Sequence, residues 1–245
     1  MEKFFSLSFN QGQTATVARV SESTELSNVL AQMGLIGSRP ILVLVGGASL
    51  ISEADFRRIQ SLFLEVLAPL AESLGAYIVD GGTDAGVMQL IGNARQQTKS
   101  TFPLIGVAPI GKVILPNQTE ATDDAAPLEQ HHTHFVLVPG SNWGDESPWI
   151  VQVATILAGG APSVTVLING GEITFLDATN SVIAGRLVIV IAGSGRTADK
   201  LVSALHGEAT DKRAEQLAAS GKLQIIHLEA GVEKLTHIIT HLLST

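Results

Sequence analysis

Apolar residues in this chain gather into short runs with little polar alternation, and four of the runs stop at glycine. Ile41 to Val45 ends at Gly46-Gly47-Ala48, and Ala76 to Val79 ends at Asp80-Gly81-Gly82. Ser163 to Ile168 ends at Asn169-Gly170-Gly171, and Leu187 to Ile191 ends at Ala192-Gly193-Ser194-Gly195. A run without alternation predicts a parallel strand covered on both faces. Further strands are predicted at Leu104 to Ala108, His134 to Val138 and Leu223 to His227.

Between the strands the period changes to that of a helix. From Glu53 to Leu74 the positions Phe56, Ile59, Phe63, Val66, Leu67, Leu70 and Leu74 form one apolar stripe, and Pro69 is expected to kink or split that helix. Val87, Leu90, Ile91 and Ala94 mark the inward face of a helix expected to begin near Thr83 or Asp84. Another helix is predicted near Glu25 to Met33. Ahead of it, Phe4 to Phe9 and Thr14 to Val20 flank the polar turn Asn10-Gln11-Gly12-Gln13 and read as a β-hairpin.

Alternating β and α elements with short connections predict an α/β fold, three layers deep, around a mainly parallel sheet. The expected division is an N-terminal hairpin over residues 1–22, appended to a single main domain over 23–245. The polar segment Ile110 to His132, with Pro116, Pro127 and Asp123-Asp124, is too long for a tight connection and reads as a mobile loop near a pocket.

The 245 residues carry a net charge of −8 with 15 Lys and Arg, which argues against a nucleic-acid surface that works by counterion release. No cysteine is present, so disulfides and thiolate nucleophiles are excluded, and a reducing cytoplasm is the expected compartment. The apolar runs are far shorter than the roughly 20 residues a membrane span needs.

What remains is a small-molecule site. Glycine where a strand turns into a helix permits φ > 0 and close approach by a ligand, while the first N–H groups of the helix attract anions. Gly81-Gly82-Thr83-Asp84-Ala85-Gly86-Val87 is the densest such turn; Thr83 or Asp84 either caps the helix or, for Asp84, accepts from a ribose hydroxyl. Gly193-Ser194-Gly195-Arg196 adds a guanidinium fork, unless Arg196 pairs with Asp199. In Pro139-Gly140-Ser141-Asn142-Trp143-Gly144-Asp145-Glu146, Trp143 either stacks on a base or packs over a neighbouring loop, and Asp145 or Glu146 is placed to hold sugar hydroxyls. His131, His132 and His134 lack a further ligand at a recognisable spacing, so packing at a strand entrance is expected and no metal.

Taken in order, Gly81 to Met88, Ile105-Gly106-Val107-Ala108-Pro109, His132 to Val138, Asn169-Gly170-Gly171 and Gly193 to Asp199 resemble the SLOG superfamily. The resembling branch is that of the prokaryotic relatives of the cytosolic N-terminal region of melastatin-type TRP channels (LSDAT-like). The resemblance implies a Rossmann-like fold that binds or senses a nucleotide-derived ligand such as ADP-ribose, with no obligatory cofactor. Carried over by motif, the contacts are Gly46, Gly47, Ala48, Gly81, Gly82, Thr83, Gly86, Val87, Pro109, Gly140, Ser141, Asn142, Trp143, Gly144, Asp145, Glu146, Asn169, Gly170, Gly171, Gly193, Ser194, Gly195 and Arg196. Phosphates are expected near Gly46, Gly82 and Gly195, and a homo-oligomer is expected by analogy.

A more distant branch, the lysine-decarboxylase-like phosphoribohydrolases that activate cytokinins, implies the alternative of N-glycosidic hydrolysis. Glu146 or Asp145 would then be acid/base and Arg196 would orient a phosphate. Their Pro-Gly-Gly-x-Gly-Thr-x-x-Glu motif departs here: Ser141 replaces a glycine, Trp143 reads as an insertion, and the Glu position falls on Pro148. Binding rather than turnover is therefore the expectation.

Overall fold

The computed structural model describes residues 3–10, 12–47, 52–116 and 124–244. Along the chain run β1 (Phe4–Ser8), β2 (Thr14–Arg19), α1 (Leu26–Gln32), β3 (Ile41–Gly46), α2 (Glu53–Ser61), α3 (Ala68–Leu74), β4 (Tyr77–Asp80), α4 (Gly86–Gln97) and β5 (Leu104–Pro109). There follow β6 (Val113–Ile114), β7 (Ala126–Pro127), β8 (His134–Val138), α5 (Ser147–Ala158), β9 (Ser163–Ile168), α6 (Glu172–Ile183), β10 (Leu187–Ala192), α7 (Arg196–Leu205), α8 (Lys212–Ala219), β11 (Leu223–His227) and α9 (Val232–Ser244).

Nine strands form one sheet in the order β1-β2-β8-β5-β4-β3-β9-β10-β11. Every neighbour pair is parallel except β1 with β2. The strand cores are sealed on both sides, as their unbroken apolar sequence requires: Ile41 to Val45 and Leu104 to Ala108 are all buried. On one face Phe63, Leu67, Ile91 and Ile239 pack from α4, α9 and the α2–α3 region. On the other, Leu30, Val153, Phe175 and Leu201 pack from α1, α5, α6 and α7. The result is a three-layer, Rossmann-like α/β fold, with the hairpin extending the sheet through β2 and β8.

Pro69 splits its helix less sharply than a kink. Between α2 and α3 lies a π-helical segment, Leu62–Leu67, and the wider turn accommodates a ring that donates no hydrogen bond, leaving Pro69 in the first turn of α3.

Helix α4 begins later than Thr83 or Asp84. Thr83 is bridged to Leu128, and the Asp84 N–H donates to the Pro127 carbonyl at 2.8 Å. The segment carrying Leu128 is thereby stitched to the turn, and the helix is delayed until Gly86. The long 110–132 segment, expected as a mobile loop near a pocket, therefore holds β6 and β7 and a seam against the β4–α4 turn; its middle, residues 117–123, lies outside the described residues.

The chain leaves β3 toward β4 and β5 on one side, and returns through α5 to β9 on the other. The crossover helices lie on opposite faces of the sheet on the two sides of that point. A crevice opens where the strand order reverses, beyond the carboxyl ends of β3 and β9.

Candidate functional site

A cavity of about 300 Å³ fills that crevice. Its floor is Leu44, Val45 and Gly46 of β3, its sides are Gly81, Thr83 and Met88 from the β4–α4 turn, and Trp143, Glu146 and Ile150 from the start of α5. Gly171, Glu172, Ile173, Thr174 and Asp177 of α6 close it. A second cavity of about 330 Å³ lies beside it, bounded by Gly47, Phe56, Ala85, Gly86, Gln89 and Leu90; Gly46 and Met88 are common to both.

Of the residues expected from the sequence, Gly46, Gly81, Thr83, Trp143, Glu146 and Gly171 thus line the first cavity, and Gly46, Gly47 and Gly86 the second. Ala48 lies outside the described residues. Val87 sits in the core with no exposure, beneath α4 rather than in either cavity.

Two of the glycines answer to the protein's own backbone. A Cβ on Gly46, at φ +128°, would stand 1.9 Å from the Ile168 carbonyl oxygen of β9. A Cβ on Gly82, at φ +67°, would stand 2.7 Å from Gly106 Cα and 3.0 Å from the Phe135 ring. Side chains are missing there to let strands meet, which differs from the expectation of an opening for a ligand.

Many turn amides are likewise engaged internally. The Gly82 N–H donates to Asp80 Oδ1 at 2.8 Å. Ser141 and Asn142 N–H both donate to Asp145 Oδ2, at 2.9 and 3.0 Å, and these bonds hold the Asp145 carboxyl below its ordinary range. Gly140 packs between Asp145 and the buried Pro109. In the β9–α6 turn, Gly170 N–H donates to Asn169 Oδ1 and Gly171 N–H to Thr174 Oγ1.

Asn169 in turn donates through its backbone to Ser194 Oγ and through its amide to the Ser194 carbonyl, each at 2.8 Å. Gly193 N–H donates to Asp199 Oδ1 at 2.8 Å, so Asp199 tethers the turn. Gly195 precedes α7 at φ +96°. Arg196 is exposed, and its guanidinium lies beside Gly171 at the cavity's outer wall. Of the expected phosphate positions, the Gly82 amide is thus engaged by Asp80, while Gly195 precedes α7 with no side-chain cap. At the α4 start the cap residue is Ala85, whose side chain caps nothing, and Gly86 and Met88 face the second cavity.

The first cavity is acidic. Glu146 precedes α5, is 7% exposed, and its Oε2 accepts from the Gly144 N–H at 2.8 Å. Burial pushes its carboxyl upward against that hydrogen bond, and the charge of Asp145 adds to the rise. Asp177, from α6, accepts a hydrogen bond from the Ser147 hydroxyl. Burial drives Asp177 up to about 7, with the Glu146 charge adding to the rise and the Ser147 bond opposing it. Sequence reasoning missed Asp177, because a lone carboxylate inside a helix carries no local signal.

Trp143 is fixed at the rim by donating its indole N–H to the Asp124 carbonyl at 3.0 Å. Behind the β4–α4 turn a buried chain of hydrogen-bonded carboxyl and imidazole side chains runs from Asp80 to His131. His132 Nε2 meets Asp80 Oδ1 at 2.9 Å and its Nδ1 meets Glu129 Oε2 at 2.7 Å, while Glu129 Oε1 meets His131 Nδ1 at 2.6 Å. Burial alone would discharge the His132 ring, but the two carboxylates outweigh it and hold the ring up to about 9. Two of the expected strand-entrance histidines are thus braces for the turn above them. Among the described residues no group of three or more His, Asp and Glu is placed to hold a metal ion, and no helix is long and apolar enough to cross a membrane.

Comparison with known proteins agrees with this architecture. The family profile described as SLOG in TRPM, prokaryote, matches residues 39–237. Transient receptor potential cation channel subfamily M member 2 of Mus musculus is 26% identical over 232 residues, and that of Rattus norvegicus is 25% identical over the same length. Each match takes in 80% of this chain and 15% of the relative's length.

Proposed function

The chain belongs to the prokaryotic SLOG-in-TRPM family, and from that premise we propose that it binds a nucleotide derivative, ADP-ribose or a related ribonucleotide, across the two adjoining cavities. Family membership supports a nucleotide-related role of binding or processing. The observation that carries the finer reading is the cavity at the reversal of strand order, which shares Gly46 and Met88 with a second cavity at the uncapped start of α4.

An elongated ligand with one neutral and one anionic end suits this pair. The phosphates belong over α4, where unpaired first-turn amides and the helix dipole favour negative charge. The pentose belongs in the acidic first cavity, and the base at its rim against Trp143. A panel of AMP, ADP, ADP-ribose and cyclic dinucleotides in a thermal-shift assay tests this. A binder at 100 times its dissociation constant adds about 2.7 kcal/mol to stability; a flat response across the panel overturns the reading.

A second reading, hydrolysis of the ligand's N-glycosidic bond, is favoured by one observation. Glu146 and Asp177 bring two carboxyls, both raised by burial, to one cavity, and Asp177, driven up to about 7, is suited to protonate a leaving base near neutral pH. Asp145 is unsuited to that role, since its carboxylate is occupied by the Ser141 and Asn142 amides. Release of free base from ADP-ribose or AMP, followed by chromatography, decides between binding and turnover.

A further inference from the structure

The first cavity has a one-sided charge. Glu146, Glu172 and Asp177 line it, and among the described residues no Lys, Arg or His does. Residues 48–51 and 117–123 contain no cationic residue in the sequence. The lining side chains offer a phosphate only like charge; two cations nearby stand outside the lining, Arg196 beside Gly171 and Arg213 paired with Glu172 at 2.8 Å. What such walls accept is a neutral group rich in hydrogen-bond donors.

The two deeper acids are fixed independently of any guest. Glu146 is anchored by the Gly144 N–H and Asp177 by the Ser147 hydroxyl. Because Ser147 follows Glu146 in the chain, one turn of α5 sets both carboxyls. Each retains acceptor capacity beyond its anchoring bond. Burial raises both carboxyls, and the Glu146 charge adds to the rise at Asp177. The remaining carboxyl oxygens are acceptors on one cavity wall, and two adjacent hydroxyls complement them, since each hydroxyl donates. Thr83 and Thr174 add hydroxyls to the same walls.

We propose that Asp177, with Glu146 beside it, reads the vicinal hydroxyls of the ligand's pentose, so that the site accepts ribosyl and refuses 2′-deoxyribosyl ligands. This rests on the nucleotide reading above and adds a specificity-determining residue on α6, outside every glycine turn.

The test compares AMP with 2′-deoxy-AMP by calorimetry on the whole chain, as wild type, Asp177→Asn and Glu146→Gln. The wild type should bind AMP at least about tenfold more tightly, the effect of one hydrogen bond to a charged group. Asp177→Asn should bring the ratio close to one by weakening AMP while leaving 2′-deoxy-AMP nearly unchanged; unchanged circular dichroism confirms the fold, and Glu146→Gln should narrow the ratio in the same way. Equal wild-type affinity for the two nucleotides overturns the inference and leaves the nucleotide reading standing. If neither binds, and ADP-ribose does not either, the nucleotide reading itself fails. A ratio that survives Asp177→Asn removes Asp177 from the role.

Discussion

Gly82 and Gly106 touch backbone to backbone: a Cβ on Gly82 would stand 2.7 Å from the Cα of Gly106, and one on Gly106 would stand 2.6 Å from the Cα of Gly82. The Phe135 ring lies under both. The β4–α4 turn is drawn onto β5 by this contact, and the cavity wall depends on it. Gly82→Ala should lower stability by about 1–3 kcal/mol, the range for overpacking, measured by urea unfolding. Gly81→Ala is the control, since a Cβ there meets only Met88, at 3.8 Å. Equal midpoints for the two variants would mean that the close approach is absent.

Protonated His132 holds Asp80 and Glu129 together. Its folded pKa, up to about 9, lies above its ordinary 6.5, so the stabilisation is fully present below pH 6.5 and is lost as pH rises through 9. Chemical-denaturation midpoints should fall over that window. His132→Gln should flatten this part of the profile, with a loss on the order of 3–5 kcal/mol at neutral pH from stranding two buried carboxylates. A variant that keeps the slope would move the titration to another group.

Asp177 acts in a different window. Raised from 3.8 to about 7, it favours the protonated folded state, so stability should decline as pH climbs from about 4 to 7 and stay reduced above that. Asp177→Asn should remove the decline and give the higher melting temperature at pH 8. A wild type that stays more stable at pH 8 would place the carboxyl in a wetter environment than the cavity provides.

Ala85 offers a test in which stability and affinity move in opposite directions. It caps α4 with an extended backbone and no side-chain acceptor. Ala85→Asp should therefore stabilise the helix by about 1 kcal/mol while setting a carboxylate where a phosphate is expected. The melting temperature of the free protein should rise and the added shift from ADP-ribose should shrink. A rise in both would place the phosphates away from α4.

The fold was open to sequence reasoning because its strands are covered on both faces: Ile41 to Val45 and Leu187 to Ile191 have no polar side to obscure their length. Glycines marked where the chain turns, but not why. Gly46 and Gly82 look alike in sequence to glycines that admit a phosphate, whereas the atoms they avoid belong to Ile168, Gly106 and Phe135, far off in the chain. Thr83 and Asp84 look like helix caps, but pairing with Leu128 and Pro127 ties them down and the helix waits until Gly86. Asp177 was hidden for a similar reason, since its partner Ser147 is thirty residues away. The Asp80–His132–Glu129 chain joins β4 to the segment before β8, which spacing alone does not bring together.

The N-terminal hairpin has a bearing on handling the protein. Through β2 it occupies the hydrogen-bonding flank of β8, Thr16 to Arg19 lying alongside His134 to Leu137. Shortening the chain by its first twenty residues would bare a ladder of unmatched peptide groups flanked by Phe135, Val136, Leu137 and Val138, an invitation to strand-by-strand stacking between molecules. Such a trimmed form should precipitate or grow into aggregates even with its cavities intact, so the hairpin serves as the sheet's selvedge.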